Sequence, residues 1–287
     1  MLRKLQSVLL RLLARLPLRL LHGFASVAAT LAFDVVRWRR AKISANLQRA
    51  FPDLSNKARD EIAKEHVTGQ IDVALETLKG STLSDAELAE RIDIANLDVL
   101  EAYAHRPVLL VGGHQGNWEW QMLALSARNV MPLEAVYAPL PVAAVDEFLA
   151  ATRSRFGITL IKQEETLKEI GKRLKQPRAV IMLADQNPRR DAERCWLNFF
   201  HQDTDFGLGL EKLARLTRYP VIFFQGRRTS RGHYQLSFEL IAEPPYDKEG
   251  HAVTEAYVAA LVRSIEAQPA DWIWSYPRWS HPKPLYE

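Results

Sequence analysis

Cysteine is almost missing from this 287-residue sequence: Cys195 is the single thiol. One cysteine excludes an intramolecular disulfide and fits a reducing compartment. Its neighbours Trp196 and Leu197 suit a packed thiol better than a nucleophile. A Gly-x-Ser-x-Gly elbow is lacking, which argues against a serine esterase of the α/β-hydrolase kind. The helical His-Glu-x-x-His pattern is lacking too, and the other histidines lie at unrelated spacings, so no metal site is expected. Neither a Gly-x-x-x-x-Gly-Lys phosphate loop nor a Gly-x-Gly-x-x-Gly fingerprint occurs, and no cofactor is expected. There is no internal repeat, no low-complexity linker and no clean boundary between two globular domains.

The hydrophobic fraction of 47% is ordinary for a globular protein and argues against extensive disorder. The formal net charge is only +4, but its distribution is uneven. Arg3, Lys4, Arg11, Arg15, Arg19, Arg37, Arg39, Arg40 and Lys42 face a single acid, Asp34, within the first 42 residues. Leucines interleave with these cations, which points to an anionic membrane surface rather than nucleic acid. Arg11, Arg15 and Arg19 recur every four residues and therefore share one side of a helix, leaving the other side apolar. Pro17 should break that helix or open a new one. From Leu20 to Val36 the chain is mostly apolar, slightly short of the roughly 20 residues of a full span. Residues 1–45 are thus expected to be a membrane-anchoring helical segment, lying in the interface or inserted shallowly. An amphipathic helix packed on its own domain is the competing reading.

Residues 46–287 are expected to form the catalytic α/β domain. Leu54 to Lys79 reads as a helix capped by Ser55, and Ser84 to Ile92 as a second. From Pro107 onward, strand patterns at 108–111, 133–137, 158–161, 179–184, 221–225 and 234–240 alternate with helix patterns at 118–128, 142–155, 164–175 and 206–217. Such alternation predicts an α/β fold, with a mixed, largely parallel sheet flanked by helices.

The most informative stretch is Gly112-Gly113-His114-Gln115-Gly116-Asn117-Trp118-Glu119-Trp120, between a buried-strand pattern and a helix pattern. A histidine and a carboxylate five positions apart diverge by roughly 140° on one continuous helix. They converge only if His114 lies on the loop and Glu119 in the first helical turn, with Asn117 as N-cap. That turn also offers free backbone N–H groups to a bound anion. In this arrangement His114 is the candidate general base, and Glu119 orients its ring and stabilises the imidazolium.

The His-x4-Glu pattern of His114 and Glu119 resembles the glycerolipid and lipid A acyltransferases. More closely, it is similar to the bacterial lipid A biosynthesis acyltransferases, which add a secondary lauroyl or myristoyl chain. Four further segments agree in order. They are Arg39-Arg40 with Asn46-Leu47 and Phe51-Pro52; Asp185-Gln186-Asn187-Pro188 with Phe199-Phe200; Thr204 to Ala214; and Trp272-Ile273-Trp274 with Arg278-Trp279. Two departures bear on the acceptor. The segment Val136-Tyr137-Ala138-Pro139-Leu140 lacks an arginine found in many such enzymes, and Glu211 stands where small or apolar residues are common.

The resemblance implies transfer of an acyl chain from a thioester, acyl carrier protein or coenzyme A, to a hydroxyl of a lipid A precursor in lipopolysaccharide biosynthesis. It implies a location on the cytoplasmic face of a bacterial inner membrane. The expected partners are acyl carrier protein, the lipid substrate and the anionic membrane surface. Asn117, Arg153, Arg155, Asp185, Gln186 and Arg189 are the expected substrate-binding residues. Asp185, after an apolar strand, either holds a sugar hydroxyl, positions an arginine, or makes turn hydrogen bonds. Arg153 and Arg155 suit phosphate on the acceptor or the carrier arm. Arg189, Arg190 and Arg194 form a basic loop suited to an acidic carrier. Trp272, Trp274 and Trp279 suit interfacial anchoring or core packing. Another glycolipid or a lysophospholipid as acceptor, or water in a His-based thioesterase, remains open at this point.

Overall fold

A computed structural model describes residues 2–281 and 283. In chain order the helices are α1 (Leu2–Arg15), α2 (Leu18–Thr30), α3 (Arg40–Ala50), α4 (Asn56–Lys79), α5 (Asp85–Arg91), α6 (Asp98–Glu101), α7 (Trp118–Ala127), α8 (Ala143–Ser154), α9 (Thr166–Lys172), α10 (Gly209–Thr217) and α11 (Ala252–Ala267). The strands are β1 (Ile92–Ile94), β2 (Val108–Gly112), β3 (Leu133–Tyr137), β4 (Thr159–Lys162), β5 (Ala179–Leu183), β6 (Arg194–Phe199), β7 (Gln202–Gly207), β8 (Val221–Ser230) and β9 (His233–Ala242).

Seven strands form one sheet in the order β1-β9-β8-β2-β5-β3-β4. All neighbours are parallel except the β8–β9 hairpin, so the sheet is mixed and mostly parallel, with helices against it. The central strand β2 is buried at all five positions, as expected of a strand with neighbours on both sides. Its register places Gly112 beside Leu183 at the end of β5. The loops leaving β2 and β5 therefore start level with each other, at the carboxyl edge where α/β proteins build their sites. His114 and Asp185 each lie two residues beyond that shared edge.

Several elements escape the sequence pattern, among them helices α6 and α11, strand β1 and the β6–β7 hairpin. The β6–β7 hairpin occupies Arg194–Gly207, so the helix expected from 206 begins at Gly209. Strand β1, read as the end of a helix, pairs with the distant β9, which outweighs local helical preference. Glu211 is explained by packing: its carboxylate accepts from the Thr254 N–H (2.9 Å) and hydroxyl (3.1 Å) in the first turn of α11. Arg215, one turn along α10, pairs with the same side chain.

At the N-terminus, Pro17 separates α1 from α2, as its missing N–H and fixed φ dictate. Leu21, Ala25 and Ala29 of α2 are buried, and the helix lies along α4. The opposite side exposes Leu20, Phe24, Val27, Leu31 and Val35, while α1 exposes Leu2, Leu5, Val8, Leu9 and Leu12. The stretch Leu18–Val35, which includes a π-helical turn, has a mean hydropathy of 1.3 over 18 residues, 22% of them buried. Its helical length of about 27 Å is just under a hydrocarbon core of roughly 30 Å. By length and composition it can cross a membrane. Helix α3 runs unbroken through residue 45.

Candidate active site

His114 stands on the β2–α7 loop, and two features hold that loop in shape. Gly116 has φ of +54°, a left-handed conformation that disfavours other residues. At Gly113 a Cβ would meet Leu261 Cδ1 at 2.7 Å, so a larger residue would require the Leu261 side chain on α11 to move. The loop is also stitched to the C-terminal segment by a Gln115–Trp272 bridge and by the Gly116 N–H, which donates to the Asp271 carbonyl.

The imidazole is paired with Asp185. Its Nδ1 lies 2.7 Å from Asp185 Oδ1, and the His114 backbone N–H donates to Oδ2 at 2.9 Å. The Trp272 indole N–H donates to the same Oδ2 at 2.9 Å. Asp185 is completely buried, whereas the His114 side chain keeps one-fifth of its surface exposed. Burial disfavours the Asp185 carboxylate, but the His114 charge, the three hydrogen bonds and their geometry prevail and hold its pKa below the usual value. Burial likewise opposes the imidazolium, yet the charge and hydrogen bond of Asp185, with a smaller contribution from Glu119, raise the His114 pKa above that of a free histidine. An ionised Asp185 accepts a hydrogen bond from Nδ1–H, so neutral His114 carries its lone pair on Nε2. Gln186 Nε2 is 3.5 Å from that atom, and Trp118 packs edge-on at 5.0 Å between ring centroids.

The expected Glu119–His114 hydrogen bond is therefore replaced by Asp185–His114. Glu119 is instead clasped by Arg153, whose Nε and Nη2 donate to its two oxygens at 2.9 and 2.5 Å. Burial works against the Arg153 cation, but this fork outweighs it and raises its pKa. Arg153 reaches Glu119 because the last turn of α8 lies beside the first turn of α7.

The remaining expected residues separate into two groups. Gln186, within 3.5 Å of His114 Nε2, and Arg189 are both exposed on the loop after β5. Asn117 is buried: its Oδ1 accepts from the Trp120 N–H at 3.0 Å as N-cap of α7, and its Nδ2 donates to Glu76. That leaves it no surface for substrate. Arg155 points elsewhere, donating to the Gly80 and Leu83 carbonyls beyond the end of α4. Arg194 is not a free member of the basic loop, since it pairs with Asp205 and donates to the carbonyls of Arg189 and Arg190.

Sequence reasoning treated the C-terminal tryptophans as anchoring or packing. Trp272 and Trp274 are fully buried, each contributing about 2–3 kcal/mol by burial, and Trp272 completes the Asp185 environment. Arg278 is buried as well, bridging Asn187 Oδ1 (2.7 Å) to Asp205. The Asp-Gln-Asn-Pro loop is thus fixed from behind by the chain end. Cys195 is a buried thiol whose pKa burial pushes up to about 11, with Glu211 and Glu255 adding to the rise, which is the opposite of nucleophile activation. Among the described residues, no three His, Cys, Asp or Glu side chains are grouped as a metal site.

The model of the bacterial lipid A biosynthesis acyltransferase family matches residues 2–281. A comparison with curated proteins finds no match. Among solved structures, the chain is similar to the 1-acyl-sn-glycerophosphate (LPA) acyltransferase PlsC from Thermotoga maritima. That similarity has 12% identity and a TM-score of 0.38, covering 93% of this chain and 98% of the other.

Proposed function

The chain belongs to the bacterial lipid A biosynthesis acyltransferase family and is an acyltransferase, and we propose that it acylates a lipid A precursor from acyl carrier protein with His114 as general base. The observation that carries this reading is the His114–Asp185 pair at 2.7 Å, on a ring still open to solvent. Nε2 of neutral His114 takes the proton of the acceptor hydroxyl as its oxygen attacks the thioester carbonyl. The tetrahedral intermediate collapses, the carbon–sulfur bond breaks, and His114 returns the proton to the departing thiolate. The products are an ester and a free carrier thiol, with no acyl-enzyme. Asp185 holds the reactive tautomer and stabilises the transient imidazolium, much as the carboxylate of a catalytic triad does.

Glu119 acts beside His114 by fixing Arg153. The fork uses Nε and Nη2 and leaves Nη1 without a hydrogen bond among the described residues, available to donate to an anionic group of the lipid. The first turn of α7 supplies N–H groups suited to the oxyanion. Gln186 lines the approach to Nε2. Arg189 and Arg190 are suited to meeting an acidic carrier. Residues 1–45 attach the enzyme to the cytoplasmic face of the inner membrane through the exposed apolar sides of α1 and α2.

The test is transfer of labelled acyl chain from acyl carrier protein, or from coenzyme A, to lipid A precursors, glycerol lysophospholipids and water. Wild type is expected to prefer the carrier thioester and the lipid A precursor, and His114→Ala to lose turnover by roughly two to four orders of magnitude. Near-normal turnover in a folded His114→Ala protein would sink the base assignment. Release of free fatty acid with no lipid product would make the protein a thioesterase.

A further inference from the structure

Glu76 belongs to no motif in the sequence, yet it is a fully buried carboxylate in the middle of a polar cluster. Oε2 accepts from Asn117 Nδ2 at 3.0 Å and from the Tyr234 hydroxyl at 2.5 Å. Oε1 lies 2.8 Å from His22 Nε2 on α2. The Glu76 backbone carbonyl accepts the Trp120 indole N–H at 2.6 Å. One residue of α4 therefore grips the first turn of α7 at two places, the N-cap side chain and the third residue.

Burial alone would push the Glu76 carboxyl up. Hydrogen bonds from His22, Tyr234 and Asn117, with the charge of Arg228, more than reverse this and keep it ionised. Replacing such a buried charge by apolar packing is often neutral or stabilising, so stability is a weak reason for its presence. Its geometry offers a better one. Asn117 fills two demands at once: Oδ1 must face the Trp120 N–H, so Nδ2 must face a full acceptor. The carboxylate settles which way the amide points, and with it where α7 begins. Glu119 is two residues further on, clasped by Arg153.

We infer that Glu76 is a positioning residue for acyl transfer: it orients Asn117, and so sets the first turn of α7 that carries Glu119, from a carboxylate that also ties in His22 of α2. The inference rests on the acyl-transfer reading above. A displacement of about 1 Å at a reacting group can cost about 100-fold in rate, so a looser turn should act on turnover rather than on binding.

The experiment uses the full chain and compares wild type, Glu76→Gln, Asn117→Asp and the double swap Glu76→Gln/Asn117→Asp. In the swap, the glutamine amide donates to an aspartate that still caps α7, so the donor–acceptor match between positions 76 and 117 and the net charge are both kept, while the Tyr234 hydroxyl, which donates to the same Oε2, turns to accept instead. Both single variants are expected to lose roughly 10- to 100-fold in kcat with KM within about twofold. Hydrogen exchange at the 118–121 amides is expected to quicken in both. The swap is expected to recover kcat to within about threefold and to restore slow exchange. Wild-type kcat and exchange in folded Glu76→Gln would overturn the inference. So would a swap that restores the melting temperature but leaves kcat at the level of a single variant. Should Glu76→Gln fail to fold, Asn117→Asp and the swap decide the matter. If wild type transfers no acyl group at all, the reaction reading has failed instead, and the exchange rates alone then decide whether Glu76 sets the turn.

Discussion

His114 and Asp185 are 71 positions apart in the chain, yet their side chains meet at 2.7 Å because β2 and β5 are neighbours in register. That pairing makes Asp185, rather than Glu119, the group that fixes the tautomer of the base. Asp185→Asn is expected to lower kcat/KM by roughly two to four orders of magnitude, since an amide can face Nδ1 with either its oxygen or its nitrogen. The pH profile gives the sharper readout. In wild type the His114 pKa is raised, so activity should fall as pH drops through a value above the ordinary 6.5. Without the Asp185 charge, burial of the ring prevails and the acid limb should move to lower pH. An acid limb unchanged in Asp185→Asn would remove Asp185 from the role.

The Glu119–Arg153 fork makes a different forecast. Deleting Glu119 leaves a largely buried guanidinium without its partner, so Glu119→Ala should cost stability, by about 2–4 kcal/mol, as well as turnover. Combining it with Arg153→Gln removes the stranded charge and should restore most of the stability but none of the turnover. Denaturant melts and initial rates on the four proteins check this. Recovery of activity in the double variant would reduce the pair to a structural clasp.

Much of this was legible in the sequence because it is local. The apolar run 108–111 and the cap Asn117 state where a strand ends and a helix starts. The alternation after Pro107 states the fold class. Asp185 was singled out for its place at a strand end, but its partner was not, because strand order is a non-local property. The chain passes through β3 and β4 before β5 returns beside β2. Arg153 and Arg155 look equivalent in sequence, yet the one on the last turn of α8 reaches Glu119 and the one just past its end reaches the carbonyls past α4. Trp272 carries no chemical signal of its own; its indole matters only because the chain end folds back under Asp185. Glu76 was missed for the same reason, with every one of its partners on another element.

His66 supplies a stability prediction. It is wholly buried, its Nδ1 is 3.3 Å from the Ala270 carbonyl, and burial drives its pKa down from 6.5 to about 4, against hydrogen bonds to Ala270 and Trp272 that favour the charged form. The unfolded chain binds the proton near pH 6.5, while the folded chain resists until about 4. Stability from this residue is therefore complete above 6.5 and falls as pH drops through that window, by about 3 kcal/mol in all. His66→Gln should flatten the decline. Urea melts at pH 7, 5.5 and 4.5 measure it, and an equal slope in both proteins would sink the assignment.

Arg189 and Arg190 are exposed, with Arg194 engaged behind them. If they meet the acidic carrier, reversing both charges should lower kcat/KM for carrier thioester several-fold while sparing kcat at saturation. The wild-type rate should fall with added salt, and the reversed protein should lose most of that dependence. Coenzyme A thioester serves as the control donor. Parallel salt slopes with carrier thioester would mean that these arginines do not guide it.

Removing the N-terminal segment would be a poor test of membrane attachment, because Leu21, Ala25 and Phe33 are buried and His22 reaches Glu76. Substitution of outward residues avoids that damage. Leu5, Leu9, Phe24 and Val27 are all more than half exposed, so changing them to serine leaves no cavity in the fold. Each side chain moved from water into the interface contributes about 1.5–3 kcal/mol, so the four together should abolish vesicle binding at ordinary lipid concentrations, with the melting temperature held. Binding of wild type to anionic vesicles should weaken with salt as the arginines of α1 are screened, yet persist through apolar insertion. Transfer to a lipid acceptor in vesicles should then fall with binding, whereas transfer to a detergent-dispersed acceptor should survive, since the His114–Asp185 pair is untouched. Full sedimentation of the four-serine protein with vesicles would move the membrane contact away from this surface.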